Sequence, residues 1–192
     1  MKPITRLFFI LALFFSFNNI AFAQNATPLR VSGPNPIGSS SFLMNLIAVG
    51  VNHTTADVEL REQLAFSAAQ ADDALVALRE LPGIREAALL STCNRTEVYC
   101  LIDGETPDFG EWLAQARRMP VETLRRVLYT HRDEKALEHL MRVAGGLDSM
   151  VLGEPQILGQ LREAYARARE AGLINGELGR VFQDVFSVAK RI

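Results

Sequence analysis

Asn45 to Asn52 is a short apolar run that closes on polar, turn-prone residues, the pattern of a buried strand. Ser67-Ala68-Ala69-Gln70 has the form of a capping box, and Asp72 and Asp73 place negative charge at the positive end of the helix it opens. That predicted helix carries Leu75, Leu78 and Leu81 and stops at Pro82-Gly83. Glu86–Leu90 and Glu97–Ile102 are two further strands by pattern. Asp108 to Glu111 repeats the capping box before a short helix through Trp112 and Leu113. Asp133 starts another helix, whose Leu137, Leu140, Met141 and Ala144 share a face. Pro155 suits a first helical turn, where its missing N–H costs nothing, and Gly172 closes that helix. From Glu177 to Ile192 the register stays helical, with Leu178, Val181, Phe182, Val185, Phe186, Ala189 and Ile192 on one side. No Gly, Asn or Pro ends it, so the helix is expected to run on. The whole reads as α+β: a small sheet with helices, then an all-helical stretch.

Charge divides the chain at Met44. All 22 acidic residues lie from there onward, and of 20 basic residues only Lys2, Arg6 and Arg30 precede it. The remainder therefore holds 17 basic against 22 acidic groups, a net of −5. That is not the footprint of a protein gripping nucleic acid through phosphates alone. Any such contact falls to local patches: Arg117-Arg118, Arg125-Arg126, or the Arg162/Arg167/Arg169 helix face. A solvated helix surface accounts for the same arginines. Residues 1–23 look like a secretory signal, with Lys2 and Arg6, an apolar run from Leu7 to Phe17, and Ala21-Phe22-Ala23 before Gln24. The run is too short and too broken by Asn18 and Asn19 to span a bilayer. Residues 24–43, rich in Pro, Gly, Ser and Asn, read as a disordered linker. A compact α+β domain is expected over 44–145, and a loop with helices over 146–192.

Of two cysteines, Cys100 sits in an apolar strand and reads as a small buried hydrophobe. Cys93 has only polar neighbours, and Arg95 two residues on shares its face if the segment is extended. A neighbouring cation raises the reactive thiolate fraction, and a planar guanidinium suits a carboxylate. No Cys/His pair has zinc-finger spacing, and no Gly-x-Gly-x-x-Gly or phosphate loop joins a strand to a helix.

Three strings carry a resemblance: Gly50-Val51-Asn52-His53-Thr54-Thr55-Ala56, Ser91-Thr92-Cys93-Asn94-Arg95-Thr96-Glu97, and Gly146 through Gln156. Together, in this order, they resemble the glutamyl-tRNA reductases, which begin tetrapyrrole synthesis from charged tRNA. The likeness runs from Met44 to Ile192. It implies a ferredoxin-like catalytic domain and, after it, the start of a long spine helix leading to nucleotide-binding and dimerisation domains that this sequence lacks. It implies that Cys93 attacks the glutamyl ester, leaving a thioester that NADPH reduces to glutamate-1-semialdehyde. By position, Thr92, Asn94 and Arg95 would hold the glutamate on one side. Ser149, Glu154, Pro155, Gln156 and Gln160 would line the other. His131 matches the place near the reacting carbonyl, although a polar residue preceding a helix explains it equally. His53 would shape the pocket, and His139, among leucines, reads as structural. NADPH enters by resemblance alone, and no metal is expected. Expected partners are glutamyl-tRNA and the aminotransferase that consumes the semialdehyde; the resemblance implies a homodimer for the family, through the dimerisation domain that this sequence lacks.

Charged tRNA is a cytoplasmic substrate, which conflicts with the leader. Either residues 1–43 are an upstream start outside the working enzyme, or the chain is exported. Two other classes stay open: a non-reducing remnant that binds or deacylates glutamyl-tRNA, and an exported helical interaction protein.

Overall fold

The computed structural model describes residues 45–150 and 156–190. The leader, the linker, Glu154, Pro155 and Ile192 lie outside the described residues. In chain order the elements are β1 (Leu46–Asn52), α1 (Val58–Leu64), α2 (Ala68–Arg79), β2 (Ile84–Ser91) and β3 (Arg95–Ile102). Then come α3 (Phe109–Arg117), α4 (Val121–Arg125), β4 (Tyr129–Arg132), α5 (Glu134–Ala144), α6 (Gln156–Glu170) and α7 (Glu177–Ala189).

The strands form one sheet in the order β2-β3-β1-β4, every neighbouring pair antiparallel. β1 and β2 therefore run parallel with β3 between them, and helices make both crossovers. This is the split βαβ arrangement of the ferredoxin-like fold, as the resemblance implied. Gly50 faces Glu97 across β1 and β3. A Cβ at that position would collide with the Thr96 carbonyl oxygen and stand 2.8 Å from Glu97 Cα, so only glycine lets the strands close.

Alternation sends Arg95, Glu97, Tyr99 and Leu101 to one side of β3, and Thr96, Val98, Cys100 and Ile102 to the other. α5 and α7 cover the first side: His139 meets Glu97, and Phe182 meets Tyr99 edge-on with centroids 6.0 Å apart. The α1–α2 segment covers the second. Thr96 Oγ1 donates to the Leu64 carbonyl at 3.3 Å, and Phe66 N donates to Ser91 Oγ at 2.8 Å.

Three elements escaped the hydrophobic pattern. α1 turns Arg61 and Leu64 inward while Val58 is exposed, so its buried face carries a charge. α4 buries only Leu124. β4 is a polar four-residue edge strand whose identity rests on pairing with β1. His131, expected in a segment leading into a helix, stands on this strand opposite Ala48.

The caps divide similarly. Ser67 and Gln70 form the complete reciprocal box at the head of α2. Asp108 accepts from Glu111 N at 2.9 Å, but Glu111 turns its carboxylate to Gln115. Asp133 does not cap α5: at φ +55° its carboxylate accepts from Asn45 N at 2.8 Å, tying the end of β4 to the start of β1. Gly172, at φ +71°, closes α6 as expected. At the head of α7, Gly176 brings no side chain. There the buried Glu86 carboxylate accepts from Leu178 N at 2.6 Å, and a Cβ on Gly176 would stand 2.6 Å from Glu86 Oε1. Among the described residues no helix is long and apolar enough to cross a membrane.

Candidate active site

β2 and β3 meet in a tight hairpin with Cys93 and Asn94 at its tip. Ser91 pairs with Thr96, and Thr92 N donates to the Arg95 carbonyl at 2.8 Å. The Thr92 hydroxyl oxygen accepts from Asn94 N at 3.1 Å and from Arg95 N at 3.2 Å, which holds the turn from inside. Cys93 is exposed and free, and Asn94 is half-buried beside it. The Cys93 carbonyl accepts from Arg61 Nε at 3.4 Å, while Arg61 Nη1 donates to the Ala56 carbonyl at 2.8 Å. Arg61 thus anchors the cysteine turn to α1. Sequence reasoning missed it, although an arginine one turn before Leu64, at a core-facing position, was a usable signal.

Arg95 opens β3 and is 1% exposed. Its Nη1 donates to Glu97 Oε1 at 2.8 Å and to Asp148 Oδ2 at 3.0 Å, and its Nη2 donates to the Asp148 carbonyl. Glu97, fully buried, also accepts from the hydroxyls of Tyr99 and Tyr129 and from His139 Nε2 at 3.1 Å. Burial alone would raise the Glu97 pKa. The His139 hydrogen bond and the Arg95 charge overcome it and hold the carboxyl at about 2. Burial likewise opposes the Arg95 charge, but Glu97 keeps the guanidinium pKa above its ordinary value. Burial, reinforced by the Glu97 charge, pushes both tyrosines well up, so they remain donors.

His139 is therefore more than a filler of the α5 apolar face: its ring links Glu97 to His131, with centroids 4.7 Å apart, and lies 5.4 Å from Tyr129. Burial, then the His139 charge, holds the His131 pKa below the ordinary imidazole value. Asn52, at the end of β1, reaches Asp148 Oδ2 at 3.5 Å and holds Thr54 through its own amide oxygen. His53 follows, half-buried, its Nδ1 without a hydrogen-bond partner among the described residues.

The structure thus gathers Arg95 and His131 with Glu97, His139, Tyr129 and Asp148. Ser149 is half-buried next to Asp148. Gln156 opens α6, exposed, with Gln160 half-buried one turn on. Cys100 lies on the opposite sheet face, where burial pushes its thiol up to about 12. Both cysteines are free thiols. Among the described residues no group of three or more His, Cys, Asp or Glu could hold a metal ion. An open hollow of about 700 Å³ between α6 and α7, lined by Tyr165, Arg169 and Arg180, touches none of these groups.

The hairpin thus carries an exposed thiol at its tip and, two residues on, a buried arginine paired to two carboxylates. Residues 49–192 match the family described as glutamyl-tRNAGlu reductase, N-terminal domain. The chain is 75% identical over 149 residues to glutamyl-tRNA reductase of Alcanivorax borkumensis, covering 78% of this chain and 36% of that protein. It is 55% identical over 150 residues to the enzyme of Chromohalobacter salexigens, with 78% and 35% covered. Among solved structures, glutamyl-tRNA reductase from Methanopyrus kandleri superposes with a TM-score of 0.60 at 33% identity, over 77% of this chain and 34% of that one. The chain belongs to the glutamyl-tRNA reductase family. It spans about a third of the length of these relatives.

Proposed function

We propose that this chain is the acyl-accepting part of a glutamyl-tRNA reductase, an oxidoreductase that takes glutamyl-tRNA into tetrapyrrole synthesis in the cytoplasm. The observation that carries the reading is the hairpin: an exposed Cys93 at its tip and, two residues on, a buried guanidinium. The Cys93 thiolate attacks the ester carbonyl carbon. The tetrahedral adduct then collapses, the bond to the tRNA 3′ oxygen breaks, that oxygen takes a proton, and a glutamyl thioester remains on Cys93. Arg95 reads the side-chain carboxylate of the glutamyl group. His131 stands against His139, where it can lend or take a proton at the leaving oxygen. Thr92 and Arg61 fix the turn that presents the thiol. Asn94, Ser149, Glu154, Pro155, Gln156 and Gln160 are proposed to enclose the glutamyl group.

In the family's reaction NADPH supplies the hydride that would turn the thioester into an aldehyde. The residues here do not fit it. The sheet is antiparallel throughout, and no glycine-rich turn leads from a strand into a helix among the described residues. What this chain can do by itself is the acyl transfer, followed by slow hydrolysis.

The test is intact-protein mass spectrometry after mixing with glutamyl-tRNA. A glutamyl adduct that hydroxylamine removes is expected on Cys93, lost in Cys93→Ser and kept in Cys100→Ser. An adduct on Cys100, or unchanged deacylation by Cys93→Ser, would sink the assignment.

A further inference from the structure

Arg95 cannot receive a ligand as it stands, because Glu97 and Asp148 enclose it. Of these two carboxylates Glu97 has no exposure, whereas the Asp148 side chain is 21% exposed. A group entering from solvent therefore reaches the guanidinium by displacing Asp148. Asp148 does not leave the neighbourhood when it yields, because it belongs to the chain beside Ser149 and also touches Asn52.

The fixed charges make this costly for most ligands. Arg95, Glu97 and Asp148 together carry a net of −1. A substrate bringing only a carboxylate would raise that to −2 around a single guanidinium, in a site with little solvent to screen the repulsion. A glutamyl ester brings a carboxylate and, a short aliphatic chain away, an α-ammonium beside the ester. If the ammonium takes the displaced Asp148 carboxylate while the substrate carboxylate takes Arg95, the net charge does not change.

We propose that Asp148 is a specificity-determining residue that exchanges its Arg95 contact for the substrate's α-ammonium, so that the site reads both charges of the glutamyl group at once. The inference rests on the proposed role of Arg95 in holding the substrate carboxylate. Asp148 and Arg95 satisfy each other before substrate arrives, as the two ends of that substrate do afterwards. An N-blocked glutamyl ester then fails although its carboxylate is intact.

The experiment measures Cys93-dependent deacylation by the full 192-residue chain with glutamyl-, N-acetylglutamyl- and glutaminyl-tRNA. The unsubstituted chain is expected to favour glutamyl over N-acetylglutamyl by at least about tenfold in kcat/KM. In Asp148→Asn that preference should fall to about twofold or less, mainly through a higher KM for glutamyl-tRNA, while glutaminyl-tRNA is still rejected. Retention of the full preference by Asp148→Asn overturns the inference. Its loss in Glu154→Gln but not in Asp148→Asn would overturn it as well. Arg95→Lys tests the underlying reading separately, since it should abolish the choice between glutamyl and glutaminyl. Should Arg95→Lys leave that choice intact, the Arg95 role falls, whatever Asp148 does. A thermal midpoint for each variant identifies losses due to unfolding.

Discussion

β3 has two sides that are equally buried and chemically opposite. Towards α5 and α7 it presents Arg95, Glu97 and Tyr99, whose polar atoms are bonded to one another and to Tyr129, His139 and Asp148. Towards α1 and α2 it presents Val98, Cys100 and Ile102 within an apolar core, with Thr96 bonded to a carbonyl at the edge. Apolar packing would serve stability as well as a buried ion pair and often better. The pair on one side of the strand is the feature on which the proposed recognition of the glutamyl carboxylate rests. The contrast also separates the two thiols: Cys93 reaches solvent at the strand's mouth, and Cys100 is sealed in its middle.

The strongest way to break this contrast is Glu97→Gln, which leaves a desolvated guanidinium without its closest anion. A loss of about 3–5 kcal/mol is expected, or roughly 10 °C in the thermal midpoint for a domain of this size. A loss below about 1 kcal/mol would mean that the polar side is not an ion-paired core.

Acid probes the same side more gently. The Glu97 carboxyl moves from an ordinary 4.5 to about 2 on folding. Its stabilisation is therefore complete above pH 4.5 and lost as pH falls from there towards 2, because the unfolded chain takes up the proton first. Denaturant midpoints measured across that window should fall with acid, and more steeply than in Glu97→Gln. Equal slopes would place the titrating group elsewhere.

The smallest effects separate the cysteines. Cys100→Ser buries a hydroxyl among apolar atoms and should cost about 1–3 kcal/mol. At the exposed tip, Cys93→Ser should stay within about 0.5 kcal/mol. Chemical denaturation of the two variants decides it, and equal costs would contradict the contrast.

Sequence pattern revealed the elements that bury apolar stripes or carry a side-chain cap: β1, β2, β3, α2, α3, α5, α6 and α7. β4 could not be seen, since Tyr129-Thr130-His131-Arg132 has no apolar run and becomes a strand only through the hydrogen bonds of β1. Cys93 and Arg95 stood out because the string that holds them carries the family resemblance. What holds Arg95 did not, because Asp148 lies 53 residues away in sequence. His139 was read as structural from its leucine neighbours. An imidazole on an apolar helix face still requires a polar partner, and Glu97, 42 residues earlier, supplies it. Asp133 looked like a cap by residue type, yet its backbone conformation turns its carboxylate to Asn45.

Glu86 has a consequence for the order of folding. The first turn of α7 is completed by a carboxylate 92 residues earlier in the chain, and Gly176 offers nothing local in its place. The nucleus of this helix is therefore assembled by the sheet, with the loop-closure entropy of that long separation already met. The β2–β3 hairpin closes over a few residues and needs no such help. Glu86→Gln should accordingly hasten unfolding and leave the refolding rate almost unchanged, a φ-value near zero, so that α7 docks last onto a sheet already built.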